Sequence, residues 1–398
     1  MKPRMGHWPT QLLIGWLNFA LVAPSIFLYL GLPMIMRQHG WSGTDIGVFQ
    51  LAGLPAIAKF LLAAPIERGE PRYRRWSLLL GAAYVASLLL LATQDVATTS
   101  RITLFTLVFT ASLMATWVDI PLNALAIQSL PAEERLRAGA IRSAATSLGA
   151  IVGGGAMLLL YARQGWGSAF LALAALLGVG LLLLPLLCTQ NTAPAEPAQS
   201  RGRWRSYFSE PARRRWTVLV LLYFPCIGAA WIYLKPLLLD LGMAPERIAL
   251  LVGVGGGTVA AAASLFGARI AKKYGSDRAL VNFAIINLGA LLLLWAVTAL
   301  HLGMLSTIVA IIAVAAAMGM SSGLVFGLMM SFTRSGLAAM DYGIQSSLFA
   351  CSRILVPLMA GVLLDHGGQA GMFAGLTIGL VIALLLAMRY APVVSRPR

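Results

Sequence analysis

The sequence predicts an all-α polytopic membrane protein, with about twelve transmembrane helices in two six-helix bundles. Three observations predict it. Of 398 residues, 59% are hydrophobic and only 11% are charged, against about 25% charged in a soluble domain; mean hydropathy is +0.81. Apolar runs of bilayer-spanning length recur along the whole chain, each crossing taking roughly 20 residues. Basic residues gather between those runs, mostly on alternate sides. This composition excludes an ordinary soluble enzyme, a disordered chain and a coiled coil.

Taken in order, the expected spans cover residues 12–36, 46–66, 77–93, 102–127, 138–161 and 168–188, then 216–239, 247–268, 279–300, 304–330, 342–364 and 371–390. Lys2 and Arg4 precede the first run, which is long and ends without a small-residue cleavage site, so it reads as a retained helix rather than a signal peptide. The longest polar stretch, 190–215, opens with the Pro- and Ala-rich NTAPAEPAQS and continues with clustered arginines. It reads as a linker, dividing the chain into an N-terminal bundle (1–189) and a C-terminal bundle (216–398).

Charge placement sets the expected orientation. With the N-terminus inside, only Arg37, Arg101, Arg163 and Arg247 fall outside, while the linker arginines and the loops after the second, fourth, eighth and tenth spans are inside. The positive-inside rule then puts both termini and the linker in the cytoplasm. The net charge of +16 is read as this topological signal and not as a nucleic-acid footprint. Cys188, Cys226 and Cys351 lie in or at the edge of apolar runs, and His7, His39, His301 and His366 are scattered. No disulfide framework, metal site or cofactor is expected, and no catalytic residue: neither a phosphate-binding loop nor a Ser/His/Asp arrangement is present.

Lys59, Asp119, Lys235 and Arg353 stand inside apolar runs. Charge at mid-bilayer costs about 2.5–3.5 kcal/mol on insertion scales, so such residues face the bundle interior or a cavity. Ser112, Thr116, Asp119 and Asn123 share one helical face, with Pro121 interrupting the ladder beside them. Lys59 and Asp119 lie at similar depth, so an ion pair between them is open. Asp119, read as the only acidic residue well inside a span, either carries a coupling proton or holds Lys59; a permanent pair would keep its proton affinity low.

Further faces carry Asn18, Ser25 and Tyr29 in the first span, and Arg142, Thr146, Gly149 and Gly153 in the fifth. Phe224, Gly228, Trp231 and Lys235 share a face in the seventh, with Pro236 just after. Tyr342, Ser346, Phe349, Arg353 and Pro357 share one in the eleventh. Aromatic stripes alone usually mean packing. Three interior cations facing one interior carboxylate point instead to an anionic passenger, the alternative for Lys235 being that it snorkels to water or to Asp240. The glycine clusters 153–155 and 255–257 read as close helix packing.

PIERGEPRYRRW and GARIAKKYGSDRAL occupy corresponding places after the second and eighth spans. The second resembles the loop signature of the major facilitator superfamily; the first departs from it. The resemblance implies two six-helix bundles rocking about a midplane cavity, with Arg68, Arg74, Arg75, Arg269, Lys272 and Lys273 as structural loop residues that cement neighbouring helices. GAIVGGG in the fifth span lacks the proline of the antiporter signature, which disfavours drug–proton antiport.

Narrower resemblances follow. Residues 29–68 and 115–155 resemble the muropeptide permeases of the AmpG type and related siderophore permeases; Asp119–Ile120 matches their Asp–Ile pair, but Asn123 stands where the muropeptide permeases have a second Asp. WIYLKPLLLDLGM and DYGIQSSLFACSRILVPLMAGVLLD are closer to the pyochelin and rhizobactin siderophore permeases. The resemblance implies a bacterial inner-membrane, multi-pass, monomeric importer of a ferric siderophore, with protons as partners and lipid around it. The substrate cavity is then expected at Asn18, Tyr29, Lys59, Phe224, Trp231, Lys235, Tyr342, Gln345, Phe349 and Arg353, and proton coupling at Asp119. A muropeptide permease is the alternative, and a membrane-embedded enzyme or receptor a third reading of a different class.

Overall fold

Among the described residues of the computed structural model, eleven helices are long and apolar enough to cross a membrane. The structure describes residues 7–67, 72–187 and 204–394. Lys2, Arg4, Arg68, Cys188, Arg201, Arg203, Arg396, Arg398 and most of the expected linker lie outside the described residues.

The crossings run α1 Trp8–Gln38, α2 Val48–Glu67, α3 Tyr73–Ala92, α4 Arg101–Ser129, α5 Ala132–Gln164 and α6 Trp166–Leu186. Then come α7 Pro211–Asp240, α8 Ala249–Tyr274, α9 Ser276–Ala299 and α10 Met304–Ser331. The last run, Ala338–Pro392, is too long for one bilayer crossing. Gly368 interrupts it with φ 62 and ψ −166, a conformation only glycine adopts freely, leaving α11 before it and α12 after it. The all-α fold predicted from composition is what the chain adopts.

Chain breaks fall where local chemistry requires them. Positive φ at Gly40, Gly165, Gly275 and Gly303 ends or begins helices at tight turns. Ser42 caps the short helix Gly43–Gln50 that leads into α2: its Oγ accepts from the Asp45 N–H at 3.1 Å, and the Asp45 carboxylate accepts from the Ser42 N–H. Pro33, Pro211 and Pro225 each sit in the first turn of a helical segment, where no N–H is needed.

Two of the glycine clusters prove to be more than packing. Val152–Ala156 in α5 and Ala249–Gly256 in α8 are π-helical turns, as is Phe27–Gly31 in α1. Such bulges widen the helix and loosen its hydrogen-bond ladder.

The chain packs as two compact units. Of the described residues, the first comprises those within 1–132, 148–204 and 333–347; the second comprises those within 133–147, 205–332 and 348–398. Packing units and sequence halves are thus not coextensive, since 133–147 and 333–347 each pack with helices from the other half of the sequence. In the first unit a Cβ on Gly153 would fall 2.2 Å from the Ala23 carbonyl oxygen, so α5 meets α1 backbone to backbone. In the second unit a Cβ on Gly139 would lie 2.0 Å from the Gly327 nitrogen. No side chain fits there, and α5 and α10 cross at a distance only glycine permits.

Candidate functional site

The first unit contains the polar face of α4. Pro121 lies inside the helix and takes one hydrogen bond out of the ladder. Beside it Asp119 Oδ2 accepts from Lys59 Nζ at 2.6 Å, and Asp119 Oδ1 accepts from Asn123 Nδ2 at 2.9 Å. The two charged side chains are 14% and 11% exposed, so the ion pair left open by the sequence is closed and largely shielded. Asn123 sits one turn below the aspartate and orients it, which is what the spacing of four residues provides.

Lys59 follows the 3-10 segment Leu51–Ala58, which contains Pro55. Next to it the Phe60 N–H donates to Ser347 Oγ at 3.1 Å. A Cβ on Gly343 would lie 3.2 Å from the Lys59 carbonyl oxygen. The opening turns of α11 therefore lie against α2. Tyr342 and Gln345 are fully buried there, and Gln345 Nε2 donates to the Asp341 carbonyl at 3.1 Å. Asn18 is buried too, donating to the Ile14 carbonyl at 2.9 Å, whereas Tyr29 is exposed.

Two acidic residues that the sequence reading passed over are as deeply buried as Asp119. Glu67, at the end of α2, is 1% exposed. Its Oε1 accepts from Tyr73 Oη at 2.9 Å and from the backbone N–H groups of Ala339 and Met340 at 2.7 and 3.1 Å. A carboxylate at the first turn of a helix satisfies its orphan donors and complements its dipole. Asp341, with no exposure, takes a two-pronged bond from Arg334: Nε at 2.9 Å and Nη2 at 2.7 Å, with the Arg334 N–H adding a third at 2.8 Å. Asp119 lies well inside its span, whereas Glu67 and Asp341 are buried carboxylates at the ends of theirs. The available signal was the Glu–Arg step in PIERGEPRYRRW, read as loop because the second span was ended one residue early.

The basic loop residues divide. Arg74 donates to the Leu187 carbonyl, tying α3 to the end of α6. Lys272 pairs with Glu134 at 2.9 Å, and Arg137 joins the same carboxylate at 2.8 Å, tying α8 to the start of α5. Lys273 lies over the Tyr274 ring. Arg75 and Arg269 are exposed, and Arg68 lies outside the described residues.

The second unit brings the remaining expected residues together around aromatic rings. Phe224 of α7 and Phe349 of α11 sit with centroids 5.3 Å apart, and the Arg353 guanidinium lies 5.9 Å from the first ring and 5.6 Å from the second. Arg353 remains exposed on a face whose other members, Ser346 and Phe349, are buried. Pro357 removes the N–H that would have reached the Arg353 carbonyl, and its own carbonyl accepts from Tyr233 Oη at 2.9 Å. Trp231 packs on Gly256 in the π-helical turn of α8, where a Cβ would fall 2.2 Å from the ring. Lys235 is exposed and, among the described residues, forms no ion pair; Asp240 is not its partner.

Arg142, which the sequence placed on a face of the fifth span and counted among the inner-side charges, was not expected in the site. It is only 7% exposed, and its guanidinium lies 4.9 Å from the Phe326 ring centroid. Near it the Ser143 hydroxyl meets Ser264 Oγ at 2.8 Å and also Ser322 Oγ, joining α5, α8 and α10. The 4–3–4 polar face of α5 carried this signal, but periodicity does not say which neighbour the face meets.

Comparison with known proteins places this architecture. Residues 12–341 match the family described as Major Facilitator Superfamily. Among solved structures, the human organic anion transporter MFSD10 (TETRAN) is similar at TM-score 0.77 and 15% identity, over 96% of this chain and 100% of that one. The transporter FucP in its outward conformation is similar at TM-score 0.74 and 16% identity, over 96% and 98%. A second structure of FucP, described as the E. coli fucose:proton symporter, gives 0.74 and 15%, over 98% and 99%. At such identities the structures speak for the fold alone. The family match, which spans most of the sequence, goes further: the chain belongs to the Major Facilitator Superfamily and is a membrane transporter, not an enzyme.

Proposed function

We propose that the protein imports an anionic ferric siderophore of the pyochelin type across the bacterial inner membrane, by alternating access and with proton coupling. The supporting observation is Arg353: a guanidinium on the faces of Phe224 and Phe349, at the depth of a transmembrane helix. A cation in an apolar shell favours a negatively charged, π-rich cargo, for which aromatic walls supply area and the guanidinium supplies charge. Lys59 is already matched by Asp119, whereas exposed Lys235 forms no ion pair among the described residues and adds positive charge to the same helix as Phe224. Iron arrives inside such a ligand, and the protein needs no metal site of its own.

The positive-inside rule supports a cytoplasmic location for both termini, and the resemblance to siderophore permeases supports import as the direction of travel. Proton coupling has support in Asp119, a shielded carboxylate whose neutralisation would release Lys59, and in the fold it shares with a fucose:proton symporter. Resemblance to siderophore permeases in α7 and α11 supplies the cargo. A muropeptide is the second reading; the AmpG-like α4–α5 segment favours it, and Asn123 in place of a second aspartate speaks against it.

The test is uptake. A deletion strain carrying this chain is given radio-iron pyochelin or labelled anhydro-muropeptide. Iron accumulation that collapses with a protonophore and with Arg353→Gln is expected. Muropeptide uptake without iron uptake would transfer the protein to the second reading.

A further inference from the structure

We propose that Arg142 and Arg353 are two cationic stations of one binding site for a flat aromatic anion, bridged by Phe326, Phe349 and Phe224. The inference rests on the transport reading above and adds two residues that reading does not contain, Arg142 and Phe326, and with them a second charged contact for the ligand.

Within the second unit the five side chains form an unbroken series. The Arg142 guanidinium lies 4.9 Å from the Phe326 centroid. Phe326 meets Phe349 at 5.5 Å and 66°, and Phe349 meets Phe224 at 5.3 Å and 44°. Arg353 then caps Phe349 and Phe224 at 5.6 and 5.9 Å. All of these separations fall within the range where a cation gains from a ring face and rings gain from tilted or edge-on neighbours. Packing alone would be served by leucines. Two guanidiniums at opposite ends of three rings are costly to place in a membrane interior, and their arrangement matches a ligand with the same pattern: a planar aryl body with carboxylate or phenolate oxygens.

Burial gives the stations an order. Arg353 is exposed, while Phe326, Phe349, Phe224 and Arg142 are 8%, 5%, 6% and 7% exposed. An anion reaches Arg353 first. Phe326 lies on the second guanidinium, so rotation of that ring brings Arg142 into reach. A guanidinium can hold a carboxylate in its plane while its face stays on a ring, and an aryl group entering the series replaces one ring contact with another. Arginine at both ends, rather than lysine, suits this double demand.

The test uses the full chain purified in detergent, with 1-naphthoate and cyclohexanecarboxylate as probes of equal charge and different shape. Wild type is expected to bind naphthoate about tenfold more tightly, the worth of about one ring-stacking contact. Arg142→Gln and Arg353→Gln should each weaken naphthoate about tenfold, as the loss of a charge-assisted bond does. Phe326→Leu should weaken naphthoate and leave the aliphatic acid unchanged. Arg142→Gln binding naphthoate like wild type, or equal affinity of wild type for the two acids, overturns the proposal. If Arg142→Gln does not fold, Arg142→Lys decides: several-fold weaker binding at unchanged thermal stability supports the site, and unchanged binding overturns it. Failure of the transport reading is seen separately, as absence of iron uptake by cells whose purified protein still prefers the aryl acid.

Discussion

Lys59 and Asp119, 60 residues apart in the chain, meet at 2.6 Å, and the aspartate's second oxygen is held by Asn123 at 2.9 Å. The pair removes one of the interior cations from the demand for a ligand. It also makes Asp119 a carboxylate whose protonation would release a charged neighbour. Both consequences follow from geometry that spacing alone left open.

Removing one partner should hurt more than removing both. Asp119→Asn leaves a shielded ammonium without its anion, an effect of about 3–5 kcal/mol when a buried pair is broken on one side. Lys59→Met combined with Asp119→Asn should recover most of the thermal stability. If Asp119 carries the coupling proton, the double variant still binds cargo but does not accumulate it against a gradient. Wild-type accumulation by the double variant would make the pair purely structural. Melting curves and uptake assays read the two effects.

Glu67 anchors the start of α11. Glu67→Ala leaves two backbone N–H groups and the Tyr73 hydroxyl without their acceptor, a loss of about 1–3 kcal/mol for each buried group left unpaired. Glu67→Gln keeps one acceptor oxygen and should lie between wild type and the alanine variant. Equal melting temperatures for all three would contradict the anchoring role.

Glycine substitutions should separate crossing points from free surface. Gly139→Ala drives a Cβ into the Gly327 backbone, so folded protein in detergent should fall steeply. Gly289, in the middle of α9, has no atom within 4 Å of an added Cβ. There alanine should stabilise, by about 1 kcal/mol from helix propensity. Size-exclusion profiles and melting temperatures compare the two.

At the α1–α2 turn, outside the spans, Asp45 titrates low. The bond from the Ser42 side chain holds its carboxyl below the ordinary value of 3.8; partial desolvation opposes this, and the Ser42 N–H and Arg101 assist. Arg101 lies 2.8 Å away and also covers the Trp41 ring. A depressed carboxylate stabilises fully above its unfolded value, and that contribution disappears as pH falls through the lower folded value. Protection of the Ile46 amide, which bonds to the Ser42 carbonyl, should therefore hold at neutral pH and weaken in acid below 3.8. Ser42→Ala should move that loss to higher pH.

The sequence by itself determined the class of fold, the number and approximate limits of the crossings, and the placing of Lys59, Asp119, Lys235 and Arg353 within apolar helical runs. Those properties depend on hydropathy summed over about 20 residues and on helical period, both of which are local. Span ends were less legible. Glu67 was read as loop because one carboxylate at the end of an apolar run looks the same whether solvated or buried. Tertiary structure alone decided which faces meet: that Asp119 takes Lys59, that Glu67 caps α11, that Arg334 closes on Asp341, and that Arg142 turns to Phe326 instead of water. A helix face fixes which side chains travel together, but an ion pair or ring contact depends on the rotation and depth of a second helix. These are set by close approaches such as Gly139 on Gly327, made between segments nearly two hundred residues apart, a relation that no local period records.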